Sequence, residues 1–132
     1  LVEAARIARG DISDLKLLDS SKFDGLIMPG GYGVAKNLSD LAIYGNKGQM
    51  NLELSNIIRK FIEQKKPIGA ICISPAVLAL GLAKNLPNLK ITIGDDFDGL
   101  IKSLGAIHEV KPSEDISIDK NNKIVTCSAY MR

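Results

Sequence analysis

The sequence predicts an α/β domain wound around a mainly parallel sheet, and three observations carry that reading. Short apolar runs at 23–28, 67–71 and 89–93 alternate with stretches of helical periodicity. Two of those runs end abruptly in small or turn-forming residues, Pro29-Gly30-Gly31 and the stretch Gly69 to Pro75, as buried strands feeding helices do. The chain has 132 residues, 45% hydrophobic and 24% charged, enough to bury one real core without disulfide or metal support.

Taken in order, residues 1–8 are helical in composition, and Gly10 closes them as a glycine just past a helix end. Residues 23–28 form the first strand, and a helix over 34–44 follows, then a loop at 45–48. An amphipathic helix over 52–64 places Leu54, Ile57, Ile58, Phe61 and Ile62 on one face. The run 67–71 has the length and continuity of a central parallel strand. A helix over 74–82 then starts with Pro75 in its first turn. After the strand 89–93, Asp95 or Asp96 caps a helix reaching about Leu104, with Gly105 as its stop. Residues 115–118 and 123–126 alternate around Lys120-Asn121-Asn122, which predicts a terminal β-hairpin. No repeat or linker divides the chain, so residues 1–132 read as a single domain. The first helix has no N-cap and no start methionine, and the last strand should lead onward, so the domain reads as incomplete at both ends.

Composition excludes several function classes. Seventeen basic residues against fifteen acidic ones give +2, and no basic run exceeds Lys65-Lys66, so neither nucleic acid nor a membrane surface is an expected partner. One histidine and two cysteines lack the spacing of a metal site. Nor do two cysteines make a disulfide framework, and a reducing, cytoplasmic location is the expectation. The uncharged run 67–83 is interrupted by Pro67, Gly69, Pro75 and Gly81, and reads as strand, turn and helix rather than a membrane span. There is no G-x-G-x-x-G and no G-K-[ST], so no nucleotide cofactor is expected.

In a doubly wound sheet the active crevice lies beyond the carboxyl ends of the strands. There Pro29-Gly30-Gly31-Tyr32-Gly33 lets backbone amides approach a ligand, and Cys72 stands at the next strand-to-helix junction, the place of a nucleophile elbow. A helix N-terminus favours a thiolate, and a thiolate attacking a carbonyl needs donors for the oxyanion. The amide of Ile73 and one from Gly30 or Gly31 are the candidates if the two loops meet. The alternative is that Cys72 is a small buried hydrophobe. His108, the only histidine, is either a base for Cys72 or an edge residue. Lys36 and Asn37 either hold an anion or are a solvated lysine and a capping asparagine; Tyr32 and Ser74 complete the candidate pocket. Asp95, Asp96 and Asp98 lack the spacing of a calcium loop and read as helix capping. Nothing around Cys127 argues for reactivity.

The segment from Pro29 to Ser39 (Pro-Gly-Gly-Tyr-Gly-Val-Ala-Lys-Asn-Leu-Ser) resembles the signature of the ElbB-like branch of the PfpI superfamily, relatives of the class I glutamine amidotransferases. Glu3-Ala4-Ala5-Arg6-Ile7, Cys72-Ile73-Ser74-Pro75-Ala76, and Asn122 to Thr126 with Ala129-Tyr130-Met131 agree, and the similarity runs the whole length. The resemblance implies a flavodoxin-like fold and Cys72 as the elbow thiol. It also implies a first strand before Leu1, bearing a glutamate that serves the cysteine, and a helix after Arg132. Ile73 departs from the histidine that many members carry after the nucleophile, which argues against a Cys-His peptidase. His108 falls in the family's Gly-Ala-x-His stretch, and Ser128 stands where relatives are expected to have proline. The ElbB-like branch is associated with isoprenoid production and described as glyoxalase-like. The expected function is therefore a cofactor-independent thiol enzyme taking glyoxal or methylglyoxal to a hydroxy acid, with a redox-sensing protein as the alternative and a homodimer as the suggested assembly.

Overall fold

The structure is a computed structural model and describes residues 1–131. Its main sheet has four strands in the order β1-β2-β6-β5, where β1 is Leu26–Met28, β2 Ile68–Ile71, β5 Ser117–Asp119 and β6 Ile124–Cys127. β1, β2 and β6 run parallel, and β5 returns antiparallel to β6 as the hairpin. A separate parallel pair joins β3 (Lys90–Ile91) to β4 (Ile107–His108). The architecture is the expected α/β, flavodoxin-like one.

Helices α4 (Leu52–Glu63) and α5 (Ser74–Leu82) supply a large share of the core. α4 buries Leu54, Ile57, Ile58 and Phe61, the predicted stripe without Ile62, and starts where the Asn51 side chain accepts the Leu54 amide. α5 is apolar all round and buried over nearly its whole length, as a helix inside rather than on a protein must be. Both meet the sheet face formed by Met28, Ile68, Ala70 and Ile124. The other face carries the in-register row Ile27, Gly69, Val125, Ile118, in which Ile27 is 70% exposed.

Four expectations need correction. The first strand is only Leu26–Met28, because Phe23 still closes a 3₁₀ turn by donating its amide to Ser20 O. The single helix over 34–44 is two: α2 (Tyr32–Asn37) and α3 (Leu41–Tyr44). Ser39 separates them; its hydroxyl donates to Ala35 O and accepts the Leu41 amide, and its backbone bridges Met50. α6 is Leu100–Ser103, shorter than predicted. Asp96 does cap it, accepting the Ile101 amide at 3.0 Å, but the chain turns through Gly99 at φ +67° before the helix begins. At the end of α1 (Val2–Ile7), Arg9 takes the first left-handed position, and Gly10 follows with its amide on Ala5 O.

β3 stands apart for a readable reason. Its flanking amides are taken by side chains, Lys90 N–H by Asp119 Oδ2 at 3.0 Å and Thr92 N–H by Thr126 Oγ1 at 2.9 Å. Side-chain oxygens from β5 and β6 thus occupy the places that a backbone ladder would fill.

Candidate functional site

β1 and β2 lie side by side with Met28 opposite Ala70, so the segments leaving them are neighbours. The two loops do meet: Ser74 Oγ donates to Pro29 O at 2.8 Å and ties the start of α5 to the glycine turn. Ser74 is fully buried in this tie, a holding role rather than a pocket wall.

Cys72 is the first of the two residues between β2 and α5 and stands at φ +65°, in the left-handed region where a non-glycine residue costs about 1–3 kcal/mol. Its amide donates to Cys127 O at 2.9 Å, which holds the hinge to β6. On the opposite side it is packed against Gly30. A Cβ at position 30 would fall onto Cys72 Cβ and lie 3.2 Å from Cys72 Sγ and 3.0 Å from Ile71 O. Only glycine fits there, which explains the first glycine of the turn. Gly31, at φ +112°, is the N-cap of α2 and has open space where a side chain would be.

Among the described residues, the amides of Gly30, Gly31 and Ile73 donate to no carbonyl or side chain. Unpaired donors flanking a half-buried thiol are the ingredients of an oxyanion site. Tyr32, 71% exposed, and the exposed Lys36 lie on α2 beyond this turn. Asn37 faces a different hollow, of about 250 Å³, with Ser39, Asp40 and Gln49.

His108 belongs to the other sheet. On β4 its Nε2 accepts the Ile93 amide at 3.2 Å, and it lines a hollow of about 420 Å³ with Asp96, Lys102 and Val110. The structure therefore unites Cys72, Ile73, Ser74, Gly30 and Gly31, and gives His108 a backbone partner elsewhere. Among the described residues no three His, Cys, Asp or Glu side chains are grouped to hold a metal ion, and no helix is long and apolar enough to cross a membrane.

Two residues that motif reasoning passed over also lie here. Cys127 is opposite Ile71 in the β2–β6 register and half-buried. Ser128, next along, is fully buried, and its hydroxyl has no hydrogen-bond partner. No local signal marks either residue, because their place depends on β6 pairing with β2 across more than fifty residues of chain.

Comparison with known proteins agrees with this fold. The model of the DJ-1/PfpI family matches residues 12–129. The human mitochondrial glutamine amidotransferase-like class 1 domain-containing protein 3 is 41% identical over 99% of this chain and 52% of its own length. The mitochondrial ES1 protein homolog of Rattus norvegicus is 39% identical over the same shares. Among solved structures, an isoprenoid biosynthesis protein with amidotransferase-like domain from Ehrlichia chaffeensis superposes with a TM-score of 0.91 at 45% identity, over 100% of this chain and 60% of that one. Glyoxalase III from Candida albicans shares the fold at a TM-score of 0.60 and 20% identity, over 87% of this chain and 56% of its own. The chain spans about half the length of the curated relatives it matches.

Proposed function

Since the chain belongs to the DJ-1/PfpI family, we propose that it is a thiol enzyme of glyoxalase type whose nucleophile is Cys72 and whose substrate is a small 2-oxoaldehyde. The observation that carries this reading is the strained hinge: a cysteine at φ +65° between strand and helix, pressed against a position where only glycine fits. Strain of that kind persists where the surrounding structure over-determines it, and it commonly does so at reacting residues.

In the proposed reaction the Cys72 thiolate adds to the aldehyde carbon, and the oxygen of the resulting hemithioacetal receives hydrogen bonds from the Ile73 and Gly31 amides. A proton then moves from that carbon to the neighbouring carbonyl, giving a thioester. Water hydrolyses the thioester to the 2-hydroxy acid and frees the thiol. The proton shift needs an acid/base group, a role that the family resemblance gives to a glutamate. No cofactor enters the scheme, and the fold neighbour from Candida albicans is named glyoxalase III.

The test is turnover of glyoxal and methylglyoxal, with labelling by iodoacetamide at neutral pH. Cys72 is expected to alkylate about tenfold faster than Cys127, and Cys72→Ser to abolish turnover. Turnover retained in that variant overturns the proposal. A second reading, oxidation sensing at the same thiol, is favoured by Cys72 being a free thiol that is only half-buried. A cytoplasmic site of action and a homodimer remain parts of the proposal; the human and rat relatives are named as mitochondrial.

A further inference from the structure

We propose that Cys127 is the resolving thiol of Cys72, so that oxidation of this site ends in an intramolecular Cys72–Cys127 disulfide. The inference rests on Cys72 being the reactive thiol, and adds to it a partner and a product.

The argument is one of placement. The chain has two cysteines, 55 residues apart in sequence, and the β2–β6 pairing brings them together. Cys127 is the last residue of β6 and lies opposite Ile71, the last residue of β2. Cys72 follows directly, and its amide donates to Cys127 O at 2.9 Å. Ile71 is the residue that faces Cys127 across the strand spacing of about 4.8 Å, and Cys72 lies one residue further on; disulfides bridge Cα separations of about 4.4–6.8 Å. Both thiols are free and half-buried, so neither is sealed in the core nor fully open to solvent. Both stand where regular structure ends: Cys72 on the left-handed hinge, and Cys127 before a turn in which Ala129 sits at φ +50° and Met131 donates its amide to Ser128 O. Cys72 Sγ faces Gly30, on the side away from β6, so bridging requires the hinge to turn this side chain toward Cys127, and backbone at such ends moves more cheaply than a strand interior.

The chemistry balances with a hydroperoxide as oxidant. The Cys72 thiolate attacks the outer peroxide oxygen, an S–O bond forms and the O–O bond breaks. Sulfur loses two electrons to the peroxide, which departs as hydroxide or alkoxide and takes up a proton. Cys127 sulfur then attacks Cys72 sulfur. An S–S bond forms, the S–O bond breaks, and the leaving hydroxide combines with the Cys127 proton as water. The second step protects Cys72 from further oxidation to the sulfinic acid, which is irreversible for most proteins.

The experiment treats the intact protein with stoichiometric hydrogen peroxide, blocks remaining thiols, and maps peptides without reduction, beside Cys127→Ser. The expected result is a cross-linked Cys72–Cys127 peptide two hydrogens lighter than its parts, at the mass of one chain, cleaved by dithiothreitol. In Cys127→Ser that peptide is lost, and Cys72 is expected to gain one oxygen with the first equivalent of peroxide and a second when a further equivalent is added. A wild-type protein in which Cys72 gains oxygens while Cys127 stays free, or one cross-linked between two chains, overturns the pairing and leaves the reactive-thiol reading standing. A protein in which neither cysteine is modified overturns both.

Discussion

At Gly30 the requirement is steric rather than conformational. Its missing side chain is the space into which Cys72 fits, since an added Cβ would meet Cys72 Cβ and the Ile71 carbonyl. Those neighbours cannot swing away as the tip of a long side chain could, because one is a Cβ fixed to the backbone at Cys72 and the other is a backbone oxygen. Gly30→Ala is therefore expected to push the glycine turn off the elbow. It should lower Cys72 alkylation and turnover at least tenfold, and cost about 2 kcal/mol of stability as overpacking does. Paired alkylation kinetics and urea midpoints read both effects, and a variant with unchanged reactivity would show that the turn does not shape the thiol's environment. The glycine run was visible in the sequence as a place for backbone to approach a ligand. What could not be read there is that its first glycine approaches Cys72 itself.

The element that most constrains the far side of the sheet is the β5–β6 hairpin, through Asp119. This buried carboxylate accepts the Lys90 amide at 3.0 Å, the Asn122 amide at 3.1 Å and Asn122 Nδ2 at 2.8 Å. Burial pushes its pKa up, but the Asn122 and Lys90 hydrogen bonds together with the Lys90 charge outweigh burial and hold it below the usual carboxylate value. A carboxylate held low in the folded state stabilises the protein above its unfolded pKa of about 3.9, and that contribution is lost as pH falls through the folded value. Glu109 acts in the same direction, chiefly through its hydrogen bond with Lys90. Asp119→Ala is expected to cost about 2 kcal/mol at neutral pH, with a clearly smaller penalty at pH 2. Urea midpoints at the two pH values measure this, and an equal penalty at both would contradict the assignment. The hairpin itself was legible from its alternation and polar turn. Its second task, supplying the oxygens that hold β3, depends on which strands it lands beside.

For the whole molecule the decisive feature is the uncovered sheet face. Parallel sheets are ordinarily packed on both sides, yet here the row Ile27, Gly69, Val125, Ile118 crosses all four strands with Ile27 and Ile118 exposed. β1 is also one of the two edge strands of this sheet. A 132-residue chain with this face and edge is expected to self-associate at micromolar concentration, and Ile27→Lys to reduce the association by placing a charge at the edge. Sedimentation velocity distinguishes the outcomes; a monomeric chain that melts cooperatively refutes the expectation.

By itself the sequence determined those features that rest on residues close along the chain. β2 and α5 come within a residue of their predicted bounds, because Pro67 and Pro75 punctuate them and a continuous apolar run lies between. The elbow cysteine and the glycine turn were legible for the same reason, as local departures from strand and helix. Tertiary structure alone decided the split of 34–44 into α2 and α3, where Ser39 bridges Met50, and the separation of β3, whose amides pair with Asp119 and Thr126. It also decided that β6 lies between β2 and β5, and so that Cys127 stands beside Cys72. The physical reason is common to all three. Turns, caps and periodicity are settled by interactions within a few residues, whereas strand neighbours are chosen by competition among surfaces that meet only when the chain has folded.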